Sequence, residues 1–216
     1  MTSPRSSTSP YAVALGRRID ELPPRVRAYF SPLPEGAVGI GRGELSHLGT
    51  PGRIRRRVLA PLFRRADQDG AVCADSARNI AFSVRNRGGD GLIRATRTFH
   101  LPDRTWVMHD VVSPLPGSRV RDRIGRSGIL VAVFAVDVEH GALVLRSTRV
   151  GIRISPQLRL RLPQLLAPRI RLTESDDVGT DRQRVALTVD MPLLGRIYAY
   201  AGTFAYEIRT AEEESP

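Results

Sequence analysis

Four histidines, at positions 47, 100, 109 and 140, and one cysteine, Cys73, are the side chains from which metal or acid–base chemistry would have to be built. None of the histidines stands in an H-E-x-x-H or similar spacing, and Cys73 has no Cys or His partner at ligand spacing, so no metal site is assigned. His100 and His109 share one face of an expected hairpin, but they sit two positions apart and lack an acidic third ligand. No G-x-S-x-G elbow and no Ser, His and Asp set stands out, so no catalytic residue is assigned. Gly39-Ile40-Gly41-Arg42-Gly43 has its third glycine misplaced for a dinucleotide loop and no βαβ unit around it, and no cofactor is expected. An enzyme reading would have to rest on an unfamiliar site around His100, His109 and Asp110.

Two other patterns can bear function. Arg97 and Asp110 are expected to face each other across a hairpin whose loop is Pro102-Asp103-Arg104-Thr105. That register sets Leu101 against Trp106 and Phe99 against Met108 on the same face, with Thr98 and His109 on the other. Arg97 with Asp110 reads as a cross-strand salt bridge or as a pair that orients a ligand. Tyr198, Tyr200, Phe204 and Tyr206, with Gly202 in the same register, form an aromatic stripe that suits core packing or a ligand wall. The candidate ligand-binding set is therefore Arg97, Trp106, Met108, His109, Asp110, Tyr198 and Tyr200, with Arg97 as an anchor for an acidic head group.

These residues need a scaffold, and the periodicity supplies one. Tyr11 to Ser31 reads as helix in two pieces, the second opened by Pro23 or Pro24, because a helix tolerates proline in its first turn. Gly36 to Leu48 reads as a flexible approach to a first strand, closed by Pro51-Gly52. Residues 53–66 then place Ile54, Val58, Leu59, Leu62 and Phe63 on one face of an arginine-rich helix. From about residue 72 the period becomes two, with strands over 79–87, 92–101, 106–112, 129–138, 142–150, 169–174, 184–190 and 197–209. A turn at His140-Gly141 pairs Val138 with Leu143 and Val136 with Leu145. Ser155 to Pro168 is a proline-punctuated connection. The expected fold is α+β: a curved, mainly antiparallel β-sheet, half-barrel-like, with two or three N-terminal helices packed against it.

The 216 residues form one domain over 11–210, between a disordered lead-in at 1–10 and an acidic disordered tail at 211–216. No run is long and apolar enough to cross a bilayer as a helix, and Met1 to Pro10 has no apolar signal region, so a cytoplasmic location is expected. All 33 basic residues are arginine, giving a net charge of +11. They are scattered through every segment, which disfavours nucleic acid as the partner.

Ala14-Leu15-Gly16 through Leu22-Pro23-Pro24 to Tyr29-Phe30, the Gly39–Glu44 glycine strand, Leu162-Pro163-Gln164-Leu165-Leu166-Ala167-Pro168-Arg169, and Met191-Pro192-Leu193-Leu194-Gly195-Arg196 followed by Tyr200-Ala201-Gly202 resemble, in order and spacing, a bacterial family, the domain of unknown function 4166. The resemblance spans nearly the whole chain and carries over no catalytic residues. It implies members that occur alone or appended to dehydrogenase-like modules. The expected function is a non-catalytic domain that binds a small apolar or amphipathic ligand in a curved-sheet cleft, the alternative being a module that docks on a dehydrogenase-like partner.

Overall fold

In the computed structural model, which describes residues 8–153, 159–161 and 167–210, the chain opens with α1 (Pro10–Leu15), a 3-10 turn (Gly16–Glu21) and α2 (Pro24–Phe30). There follow β1 (Ala37–Gly49), α3 (Arg53–Gln68), β2 (Ile80–Gly89), β3 (Leu92–His100), β4 (Thr105–Leu115) and β5 (Arg119–Ile124). The remainder is β6 (Leu130–Glu139), β7 (Ala142–Arg153), β8 (Arg159–Arg161), β9 (Arg169–Asp176), β10 (Gln183–Met191) and β11 (Gly195–Thr210). Each strand pairs antiparallel with its neighbours in the order β6-β5-β4-β3-β2-β1-β11-β10-β9-β7, and a further β6–β7 pairing joins the two ends of that order. Ten strands therefore close into an up-and-down barrel, and β8 is a short addition along β7.

This corrects the expected α+β half-barrel. Closure depends on β5, a short strand that the sequence pattern does not reveal because Asp122 interrupts its apolar row between Val120 and Ile124. It also depends on β7, which bonds to β6 on one side and to β9 on the other. Closing the sheet satisfies the backbone groups that an open sheet leaves at its edges. The helices close the ends of the barrel instead of covering a sheet face. Ser9 and Pro10, assigned to the lead-in by sequence, belong to the first helix: Ser9 Oγ donates to the Phe30 carbonyl and accepts from Tyr11 N–H.

One end is closed by α1, the 3-10 turn and α2. Tyr11, Leu15, Val26, Tyr29 and Phe30 are buried in the main core. Arg18 pairs with Asp137 and donates to the Val138 carbonyl (2.8 Å), while Arg25 reaches Asp176 (3.3 Å) and Asp181 (2.6 Å). The opposite end is closed by α3 and the segment after it. Arg104 pairs there with Asp67 (2.7 Å) and Asp75 (2.7 Å), and Trp106 Nε1 donates to the Asp67 carbonyl (3.3 Å). Of the apolar stripe expected on α3, Phe63 packs on Ile197 and edge-on to Tyr198; the side chains of Ile54, Val58, Leu59 and Leu62 lie outside the described residues, as do the 211–216 tail and most of the Ser155–Pro168 connection.

Within the strands, alternate residues point inward, as pleating requires. Arg42, Arg85, Arg94, Arg123, Arg171 and Glu207 stand exposed on the outward face, the reverse of the apolar outer band of a membrane-spanning barrel. No helix among the described residues is long and apolar enough to cross a membrane.

The β6–β7 hairpin has the expected register, with His140 and Gly141 both at positive φ (50° and 74°) and Val138 opposite Leu143. The β3–β4 hairpin does not. Leu101 N–H donates to the Arg104 carbonyl (2.9 Å), so the loop is two residues shorter than expected. Phe99 then faces Trp106, Arg97 faces Met108 and Ala95 faces Asp110. A shift of two keeps every side chain on its expected face, which is why the face assignment survives the error.

Gly39, Gly41 and Gly43 are not a flexible approach but part of β1, paired with Asn86, Val84 and Phe82 of β2. A Cβ at Gly41 would lie 2.5 Å from Val84 and 2.9 Å from Phe204, and one at Gly43 would lie 2.0 Å from the Thr203 carbonyl. Glycine is required here because β11 lies directly over the β1 backbone, with the Tyr206 and Phe204 rings over Gly39 and Gly41 and its own backbone over Gly43.

Candidate functional site

The inward positions along β2–β3–β4 begin as an ordinary core. Phe82, Phe99 and Trp106 stack in sequence, with ring centroids 5.4 and 5.2 Å apart, and Phe82 also packs edge-on to Phe204. Toward the end closed by α1 and α2 the same inward rows turn polar. After Val84 comes Asn86, after Phe99 counting backward comes Arg97, and after Trp106 and Met108 comes Asp110. On β5 the inward Val120 is followed by Asp122; on β9, Leu172 by Glu174; and on β10, Gln183 precedes Val185.

Arg97 is the centre of this layer. Its guanidinium pairs with Asp110, whose side chain is 1% exposed. Burial opposes the charge of Arg97, but its ion pair with Asp110 and the nearby Asp122 carboxylate hold the guanidinium in its charged form. Asp122 is pushed up to about 6 by burial, with Arg97 pulling it back. Glu174 is pushed up to about 8 for the same two reasons. Gln183 Nε2 donates to Glu174 Oε2 (3.4 Å). Burial raises the Tyr200 and Tyr206 hydroxyls to about 12, so both stay neutral donors.

In this layer the Asn86 Oδ1, Asp122 Oδ1 and Gln183 Oε1 acceptors and the Tyr206 hydroxyl have no hydrogen-bond partner among the described residues, and the Asp110 carboxylate meets only the Arg97 guanidinium. Buried polar atoms are nearly always matched in native proteins, so this cluster marks the part of the inner surface with spare hydrogen-bonding capacity. Chemically the layer can bind a polar group and exchange a proton with it through Glu174 or Asp122. It has no nucleophile activated by a base, and no group of three metal-ligating side chains occurs among the described residues.

Of the seven residues proposed from sequence, six point into the barrel: Arg97, Trp106, Met108, Asp110, Tyr198 and Tyr200. His109 does not; it faces outward opposite Thr96, whose hydroxyl lies 3.3 Å from His109 Nδ1. Trp106 and Tyr198 lie toward the α3 end, whereas Arg97, Asp110 and Tyr200 belong to the polar layer. His100 pairs with Thr105, four strand positions from His109, roughly 13 Å along the sheet, so the two histidines share no site. Arg97, read from sequence as the salt-bridge partner of Asp110 or as an anchor for an acid, is engaged by Asp110.

Sequence reasoning missed Asn86, Asp122, Glu174 and Gln183, together with Tyr11 and Tyr29 of the end cap. A signal for the first four was present: each stands two places from an inward apolar residue in a period-two run (Val84, Val120, Leu172 and Val185), so a polar side chain there is directed at the core.

The assembly is thus a closed up-and-down β-barrel with a charged layer sealed inside it. A family model described as "Domain of unknown function (DUF4166)" matches residues 22–204, and the chain belongs to that family. No curated protein and no solved structure matches it.

Proposed function

We propose that the protein is a non-catalytic binding barrel that holds a small amphipathic molecule in its interior. Apolar lining from Trp106, Met108 and Tyr198 receives the ligand body, and the layer around Arg97, Asp110 and Tyr200 receives its polar end. The observation that carries this reading is the set of unmatched acceptors, Asn86 Oδ1, Asp122 Oδ1 and Gln183 Oε1, on the inner face of a closed barrel. A barrel needing only a core would place apolar residues at these positions, because each buried charge costs several kcal/mol unless it is fully paired. Ten strands also enclose a wider bore than eight, the number whose interior side chains just fill or which holds one small ligand.

The test is native mass spectrometry of the intact protein purified from its own kind of host, compared with the same sample after denaturation and organic extraction. A retained mass that is lost on denaturation, and recovered as a small amphiphile in the extract, is the expected result. An apo mass throughout would overturn the reading and direct attention to co-purification with a dehydrogenase-like protein, the partner implied by the family resemblance.

A further inference from the structure

We infer that the polar end of the ligand is a hydrogen-bond-donating cation, a primary ammonium or similar amine, because the barrel interior sets three carboxylates, Asp110, Asp122 and Glu174, around a single guanidinium, Arg97, and leaves acceptor atoms of Asn86 and Gln183 without donors. The inference rests on the binding role proposed above and names the chemistry of that site.

Charge and hydrogen bonding point the same way. The one cation is committed to Asp110, and the Gln183 amide nitrogen is committed to Glu174. Beside the Tyr206 hydroxyl, the unmatched atoms are acceptors: Asn86 Oδ1 and Gln183 Oε1, on side chains 3% and 1% exposed, and Asp122 Oδ1. An acidic head group would add a further negative charge beside Asp110 and Asp122 and further acceptors to this layer, whereas an ammonium supplies one positive charge and three donors. Asp122 on β5 and Glu174 on β9 approach Arg97 from well-separated strands of the barrel wall. Tyr29, Tyr200 and Tyr206 add neutral aromatic faces of the kind that attract cations.

The arrangement also makes binding proton-linked. Glu174 faces Arg97 from β3, Tyr11 and Tyr29 from the end cap, and Tyr200 and Tyr206 from β11, and Arg97 is shared with Asp122 of β5, two strands from β3. Burial holds its proton up to about pH 8. An arriving ammonium favours the carboxylate, so cation binding expels that proton.

Titration calorimetry of the full chain with octylamine, octanol and octanoate tests this with one tail and three head groups. Octylamine stays protonated through the range used, as a lysine does. It is expected to bind at least about tenfold more tightly than the other two, with proton release seen as a dependence of the heat on buffer ionisation. Its affinity is expected to rise by up to about tenfold per pH unit below the Glu174 value and to level off above it. Glu174→Gln should remove the pH dependence near pH 8, leaving that of Asp122 at lower pH, and weaken octylamine by about tenfold, more than it weakens octanol; the proton release is read on the unaltered protein and does not depend on that variant folding. Tightest binding by octanoate, or equal binding by octanol and octylamine, would overturn the cationic head group and leave the binding barrel standing. Binding by none of the three would overturn the inference, and an apo mass in the native experiment would then remove the binding role as well.

Discussion

Two surfaces inside the same barrel are built on opposite rules. Along β1 and β11 the wall is floored with Gly39, Gly41, Gly43 and Gly202, where a single methyl would collide with the Tyr206 or Phe204 ring at the first two and with the backbone of the paired strand at the others. Along β2 to β5 and β9 to β10, near the end closed by α1 and α2, the inner face carries Asn86, Arg97, Asp110, Asp122, Glu174 and Gln183. The first surface is determined by volume: its partners are dispersion contacts, individually small and collectively decisive. The second is determined by charge, and each group there depends on the others being present and correctly protonated. A close-packed wall leaves no choice of occupant, whereas a charged layer with unmatched acceptors does, and that contrast separates core from candidate site in this molecule.

The strongest way to break the comparison is to remove the centre of each surface. Arg97→Met should destabilise the protein by about 3–5 kcal/mol in chemical denaturation, because it strands Asp110, Asp122 and Glu174 without their cation. Phe204→Ala should cost a similar amount, about 3–5 kcal/mol, through a cavity beneath Phe82 and Tyr29. The pH dependence tells the two apart: the cost of Phe204→Ala is the same at acidic and neutral pH, while that of Arg97→Met falls as the carboxylates are protonated. Equal profiles for both variants would mean that the polar layer is not governed by charge.

Gly41→Ala should have a smaller effect, about 1–3 kcal/mol, since the neighbouring Val84 and Phe204 side chains can yield only in part. A neutral or stabilising result would show slack in the close-packed wall.

Glu174→Gln sharpens the other side. A buried carboxyl whose value is raised to about 8 in the folded state binds its proton more tightly there than in the unfolded chain, where it titrates near 4.5. Its contribution to stability is therefore intact below the unfolded value and is lost as pH rises through the folded one. Asp122, raised to about 6, adds a loss of the same sign at lower pH. Thermal unfolding should show the variant gaining on the parent protein between about pH 5 and 8, by at least about 1.4 kcal/mol, the equivalent of one pKa unit. Parallel curves would place Glu174 in contact with water.

Much of this architecture is legible in the residue pattern. The period-two runs mark nearly every strand except β5, and the His140-Gly141 turn sets the β6–β7 register outright, because two residues at positive φ admit few other hairpins. Alternation also places Arg97, Trp106, Met108 and Asp110 on one face and assigns Gly202 to the aromatic row of β11. Asp122, Glu174 and Gln183 are harder to see, since a lone polar residue in an alternating run is silent about which side of the chain will be enclosed.

By itself the sequence determined most of the strands, their faces, the helices and the family, for these follow from local periodicity, turn chemistry and motif order. Only the tertiary structure decided that the sheet closes, that the β3–β4 loop is two residues shorter than it reads, and that residues from β2, β3, β4, β5, β9 and β10 meet around one guanidinium. Those are long-range facts. Closure is a pairing between strands whose separation along the chain carries no local signal, and a charge becomes a site only when distant segments remove the water around it.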